Sequence, residues 1–147
     1  MTAAPLISIH AAETDAEINR CFAVLSELRP KLDPYTFLST IRRMQAGGYF
    51  LVMLEADGHV AAVASYRFSE HLARGKFLYI DDLVTAAAFR RQGYGEKIFE
   101  RLVQAARGSG CTSVHLDSGL QRTEAHAFYE QLGMDFASRH YSLALTP

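Results

Sequence analysis

The sequence predicts an α+β fold, with a mixed, mostly antiparallel central sheet flanked by helices in a single domain over residues 1–147. Three observations carry this. Runs of β character at Tyr49–Glu55, Val60–Phe68 and Phe77–Thr85 follow one another across polar connections, the pattern of hairpin-linked strands. Phe77–Thr85, the amphipathic stretch Gly93–Arg107 and Thr112–Leu116 then read as strand, helix and parallel strand, a βαβ unit with a right-handed crossover. Finally, 147 residues with 49% hydrophobic and 21% charged side chains suit one sizeable core.

Taken in order, Leu6–His10 is β-rich and forms a first strand. Thr14 or Asp15 caps a helix to about Leu28, with Ile18, Phe22, Leu25 and Leu28 on one face, and Arg29-Pro30 stops it. Asp33-Pro34 opens a second helix, with Phe37, Leu38, Ile41 and Met44 as its apolar stripe and Gly47-Gly48 at its end. Ala56-Asp57-Gly58-His59 is a hairpin turn between two apolar runs, and Ser69–Gly75 is a polar connection. The near-continuous apolar run Phe77–Thr85, interrupted by Asp81 and Asp82, belongs in the middle of the sheet. Thr123–Leu132 is a short helix closed by Gly133, and Phe136–Leu145 alternates as one or two final strands.

Composition excludes several functions. A net charge of −1 argues against a broad nucleic-acid-binding surface. No apolar run approaches the roughly 18–20 residues that cross a bilayer, and Met1–Pro5 lacks the basic head and apolar core of a signal peptide. Cys21 and Cys111 make neither a disulfide framework nor a metal-ligand spacing, and both read as packed thiols in a reducing cytoplasm. The histidines His10, His59, His71, His115 and His140 are scattered, and no metal site is expected. Arg42-Arg43 reads as a solvated helix face. Tyr35, Phe37, Tyr49, Tyr66 and Phe68 read mainly as core, with Arg29–Phe37 available as a wall of a substrate pocket.

The chemistry gathers on Tyr79–Gly95. Its strand runs into Arg90-Arg91-Gln92-Gly93-Tyr94-Gly95, which opens a helix. The first N–H groups of a helix have no internal partner, and its dipole is positive at that end. Glycines let the backbone approach a bulky phosphate. The stretch therefore predicts a pyrophosphate site. It lacks the Gly-Lys-Ser/Thr ending of a phosphate loop and the three-glycine dinucleotide fingerprint, so a nucleotide-binding βαβ domain fits poorly.

The Arg-x-x-Gly-x-Gly run at Arg90, Gly93 and Gly95, together with Ala125-His126-Ala127-Phe128-Tyr129-Glu130-Gln131-Leu132-Gly133-Met134, resembles the GCN5-related N-acetyltransferase (GNAT) superfamily, over roughly Ile7–Leu145. The resemblance implies acetyl-CoA as cosubstrate. It implies two splayed central parallel strands, Phe77–Thr85 and Thr112–Asp117, with the pantetheine arm in the gap. It matches Leu83, Val84 and Thr85 to the backbone that pairs with that arm, with the Leu83 or Val84 amide available to the acetyl oxygen. It matches Arg90, Arg91, Gln92, Gly93, Tyr94 and Gly95 to the pyrophosphate cradle, with Ala125 and Phe128 on the late helix that follows. Tyr129 matches the tyrosine beside the thioester sulfur. The chain departs from the pattern at Ala87 and Ala88, where a proline and an acid are usual. Arg91 replaces a glycine, and Arg122 stands where an asparagine often contacts the pantetheine.

Acetyl transfer to an amine needs a neutral amine, a donor for the developing oxyanion and an acid for the leaving thiol. Tyr129 is the acid candidate, set against a packed aromatic on an amphipathic helix. Asp81 and Asp82 are the base candidates, set against structural carboxylates. Alternation puts the two on opposite sheet faces unless a bulge intervenes, Asp81 in phase with Leu83 and Thr85, Asp82 with Val84. Asp117 is a third carboxylate and His126 a further base candidate one helical turn before Tyr129. An acidic cleft of this kind favours a cationic amine. The resulting expectation is direct transfer from acetyl-CoA to a primary amine on a small molecule or peptide, in a ternary complex. No cysteine lies in either motif, which disfavours an acetyl-cysteine route. The alternative is a non-catalytic acyl-CoA-binding or sensing domain. Oligomeric state stays open, homodimers being common among similar proteins.

Overall fold

A computed structural model describes residues 3–145. The ends of the expected domain, Met1-Thr2 and Thr146-Pro147, lie outside the described residues. The chain divides into two compact units, one ending at His115 and one beginning at Leu116.

In the first unit β1 (Ile7–Ala11), β2 (Phe50–Ala56), β3 (His59–His71) and β4 (Gly75–Thr85) form an antiparallel meander; β5 (Ser113–Leu116), all but its last residue in this unit, lies parallel to β4 at the end of the order β1-β2-β3-β4-β5. The expected α+β sheet is therefore present. Asp57 (φ 50°) and Gly58 (φ 80°) make the two-residue turn between β2 and β3, both in the left-handed conformation that matches strand twist. The expected polar connection Ser69–Gly75 is mostly strand. Ser69, Glu70 and His71 pair with Phe77, Lys76 and Gly75, which leaves a short link at Leu72–Arg74.

Helices cover the two sheet faces. The expected first helix is broken at Cys21 into α1 (Asp15–Arg20) and α2 (Phe22–Leu28). The Cys21 amide bonds Ile18 O at 3.0 Å and tightens the turn, while Glu17 O takes the Cys21 thiol at 3.5 Å. Thr14 caps α1 through a reciprocal box with Glu17. α3 (Phe37–Ala46) starts later than expected. The Asp33 carboxylate accepts the Tyr35 amide at 2.9 Å, so Asp33–Thr36 closes as a side-chain-stabilised turn instead of a first helical turn. That turn leaves Tyr35 exposed at 95%, not in the core.

Ile18, Cys21, Leu25, Phe37 and Ile41 pack with Tyr49, Leu51, Met53, Val63 and Val84 into one core on this face. Each fully buried large apolar side chain there contributes about 1.5–3 kcal/mol. On the opposite face α4 (Tyr94–Gly108) buries Tyr94, Ile98, Phe99, Leu102 and Ala106 against the sheet.

The second unit holds α5 (Thr123–Gln131), closed by Gly133 at φ 90° with the Met134 amide returning to Tyr129 O at 3.1 Å. The expected final strands over Phe136–Leu145 are not formed. The backbone there makes no ladder, and Phe136, Tyr141, Leu143 and Leu145 are exposed. Alternation alone does not make a strand, because each strand N–H and C=O needs a partner across the ladder.

At the far edge of the sheet, His10 donates to Glu55 Oε2 from Nε2 at 3.0 Å and faces Glu17 from Nδ1 at 3.4 Å, while Arg20 also pairs with Glu55. The hydrogen bond to Glu55 raises the His10 pKa above its ordinary value near 6.5, against the opposing effect of burial. A raised histidine contributes stability that is fully present below its unfolded pKa and is lost as pH rises through the folded one. His10→Gln is therefore expected to reduce the fall in Tm between pH 6 and pH 8.5. Thermal unfolding of both proteins across that range checks this, and parallel curves would count against it.

Candidate active site

The site is built on the end of β4. Opposite it, Ser65 pairs with Asp82 and Tyr66 with Ile80, so Asp81 is the extra residue of a β-bulge. The bulge resolves the phase question that the sequence leaves open. Asp82 is hydrogen-bonded to Ser65, and Asp81 to Arg67, two positions along β3 and hence on the same face as Ser65. Both aspartates therefore lie on the face covered by α1, α2 and α3, and Asp81 does not share the phase of Leu83 and Thr85. Val84 lies on that same helix-covered face with Val63, and Leu83 and Thr85 alternate to the other.

Each carboxylate is paired. Arg29, just past α2, reaches Asp82 Oδ1 with Nε at 2.9 Å and Nη2 at 2.7 Å. Arg67 holds both Asp81 oxygens from Nε, at 3.1 and 2.9 Å. The Ser65 hydroxyl, completely buried, donates to Asp82 Oδ2 at 3.3 Å and faces the Tyr49 phenol. Burial pushes the Tyr49 pKa far above its usual value, so the phenol stays protonated. The cleft is thus charge-balanced rather than acidic, which removes the basis for expecting a preference for simple cationic amines. Ser65 and Arg67 stand beside the two carboxylates although the sequence analysis does not single them out, while Arg29 is the first residue of the expected pocket wall and Tyr49 an expected core residue. The available signal was Ser65 and Arg67, polar residues in the buried phase of a central strand.

β5 is short. The Thr112 amide bonds Lys76 O at 2.8 Å, and the strand then runs only four residues, while β4 has eleven. Beyond it, Asp81–Thr85 has no strand neighbour on that side among the described residues. Their backbone groups form an open edge that can accept an extended ligand as a further strand.

Past β4, the Ala86 amide bonds Ala61 O and the Ala87 amide is capped by Glu27 Oε1 at 2.8 Å. A short 3-10 turn, Ala87–Phe89, leads to Arg90. Arg91 (φ 62°) and Gly93 (φ 79°) then bend the backbone into left-handed conformations before α4. Arg91 is one of only two such non-glycine residues described, and strain of this kind concentrates at ligand sites. No side chain caps α4, and Arg90, Arg91, Gln92 and Gly93 are exposed. Open amides at a positive helix end beside two arginines fit a pyrophosphate. Tyr94 can supply only its amide, since its ring is buried near Phe89 at 6.4 Å.

In the second unit, α5 carries Ala125, Phe128 and Tyr129 half-buried, with Arg122 exposed just before its first residue. Burial raises the Tyr129 pKa above its ordinary 10.0, partly offset by the Arg122 charge. His126 donates from Nε2 to Gly119 O at 2.8 Å, which ties α5 to the loop before it. Asp117 faces His140 Nδ1 at 3.5 Å. Ser118 Oγ is enclosed without a hydrogen-bond partner among the described residues. Cys21 is buried and its thiol is pushed up to about 12, so it is no nucleophile.

The family model for the acetyltransferase (GNAT) family matches residues 12–134. The chain belongs to the GNAT family. It is 34% identical over 119 residues to an uncharacterized N-acetyltransferase of Bacillus subtilis, YhdJ, covering 80% of this chain and 84% of that one. It is 30% identical over 139 residues to glucosamine 6-phosphate N-acetyltransferase 1 of Oryza sativa subsp. japonica, covering 88% and 81%. The fold matches aminoglycoside N-acetyltransferase AAC(6')-Iy in complex with CoA at a TM-score of 0.86 and 13% identity, over 99% of this chain and 98% of that one. Family and relatives support N-acetyltransferase chemistry of the GNAT kind for this chain.

The left-handed backbone at Gly93 makes a direct prediction. Gly93→Ala places a Cβ at φ 79° and should cost about 1 kcal/mol in urea unfolding, a penalty set by backbone conformation because that Cβ meets no neighbouring atom. An unchanged midpoint would show that the turn relaxes freely.

Proposed function

We propose that this GNAT protein transfers the acetyl group of acetyl-CoA to a primary amine by direct attack in a ternary complex. The observation that carries this is the strand edge Asp81–Thr85 leading into the open, arginine-flanked N-terminus of α4. That geometry suits a cosubstrate with an extended amide arm and a pyrophosphate. The relatives named for N-acetyltransfer, one of them on glucosamine 6-phosphate, and the CoA complex of the matching fold support the same choice.

Acetyl-CoA would supply an activated acyl carbon and a thiol leaving group. The amides from Arg90 to Gly95, with the Arg90 and Arg91 charges, would hold its phosphates. Leu83, Val84 and Thr85 would pair with the pantetheine arm, and an amide of Leu83 or Val84 would face the acetyl oxygen. Asp82, fixed by Arg29 and Ser65, or Asp81, fixed by Arg67, would take the proton from the amine, directly or through water. Tyr129 would hold the proton given to the departing sulfur. With its pKa raised it keeps that proton across the neutral and mildly alkaline range. The second reading, a sensor that binds the acyl donor without turnover, shares the cradle but gives the paired aspartates no task.

Acetyl-CoA at millimolar concentration is expected to raise Tm by several degrees, because it binds only the folded state; no shift would remove the proposal. With turnover established on any amine, Tyr129→Phe should lower kcat by about 10- to 1000-fold while sparing the acetyl-CoA shift. Full activity in that variant would take the acid role away from Tyr129. In the wild type, the rate should not fall between pH 7 and 9 through loss of the acid, since Tyr129, raised above its ordinary value, stays protonated there.

A further inference from the structure

We propose that Arg67 binds an anionic group, a carboxylate or a phosphate, carried by the amine acceptor. The acceptor class is then an amino acid or an aminoalkyl phosphate rather than a simple amine or polyamine. This rests on the acetyltransferase reading of the same site.

Arg67 differs from Arg29 and Arg42 in what it leaves open. Arg29 engages Asp82 through both Nε and Nη2. Arg42 uses Nε and Nη2 on Asp15 and Nη1 on Gln45. Arg67 contacts Asp81 through Nε alone, and neither terminal nitrogen has a hydrogen-bond partner among the described residues. Its side chain is 38% exposed, so these nitrogens can be reached. The guanidinium is also fixed: Asp81 holds one edge and the buried Tyr49 ring lies beneath it, 5.4 Å from Cζ to centroid. A planar fork already held in place, with its terminal N–H groups open, is the geometry that takes carboxylate or phosphate in two parallel hydrogen bonds.

Charge balance points the same way. The bulge brings Asp81 and Asp82 to one face, and Arg29 and Arg67 neutralise them. A polycation gains no net attraction from such a surface. An acceptor with an amine and an anion matches it sign for sign, the amine toward Asp82 and the anion toward Arg67.

The test uses matched pairs: tyrosine against tyramine, other amino acids against their decarboxylated amines, and phosphoethanolamine against ethanolamine. Each is titrated into CoA-saturated protein, so that the phosphate cradle is filled, and assayed for acetyl transfer. The anionic member of at least one pair should bind ten-fold or more tightly than its partner. Arg67→Met should abolish that difference in binding to the CoA-saturated protein, and Arg67→Lys should restore part of it. Arg67→Met leaves Asp81 without its cation, so the double variant Arg67→Met with Asp81→Asn provides a second measurement on a neutral site. Equal binding within every pair, no binding by any member, or a discrimination that survives Arg67→Met would overturn the proposal. A protein that fails to bind acetyl-CoA at all would instead refute the acetyltransferase reading.

Discussion

One extra residue in β4 sets the geometry on which the site depends. Without the bulge at Asp81, strict alternation would send one aspartate to each sheet face. With it, both carboxylates come to the face covered by α1, α2 and α3, beside Ser65 and Arg67, while Leu83 and Thr85 stay on the other face. The same strand outlasts β5, so the bulge lies beside a backbone edge with no strand neighbour among the described residues. A carboxylate pair and an open strand edge thus occur within one short stretch. A strand that ended level with β5 would offer neither.

The end of α2 ties this stretch to the rest of the unit. Glu27 caps the amide of Ala87, and Arg29 holds Asp82, so neighbouring residues of the chain grip both the end of β4 and the turn that leads to α4. These contacts are partly exposed, and such pairs contribute little to stability. Their effect is positional. They fix the spacing in space between Asp82 and the turn after β4, and they hold the start of the Arg29–Phe37 segment against the end of that strand.

Much of the fold was legible because its signals are local. The Asp57-Gly58 hairpin, the helix opening at Gly93 and the closure of α5 by Gly133 each follow from a residue whose backbone preference is strong. What the sequence hid is relational. A bulge is a mismatch between two strands, and neither strand shows it alone. Arg29 and Arg67 pair with aspartates far away in sequence, and nothing in their neighbours marks them. Asp33 shows the converse, a local contact winning over a helical pattern, since its carboxylate captures the Tyr35 amide before the helix can start at Pro34. At the other end, Phe136–Leu145 has the alternation of a strand but not the partner that makes one.

The polar residues on the helix-covered face also bear on the choice between enzyme and sensor. Ser65 is completely buried, and the Asp81 and Asp82 side chains are each 18% exposed. Polar and charged groups at such depth need partners to offset desolvation, and apolar replacements of similar volume are often as stable or more so. A domain that only held an acyl donor would need the strand edge and the helix terminus, both of which are backbone. It would have no physical use for two paired carboxylates beside them. Removal of a proton from an amine would give one of them a task, and the bulge brings both to one face beside Ser65 and Arg67.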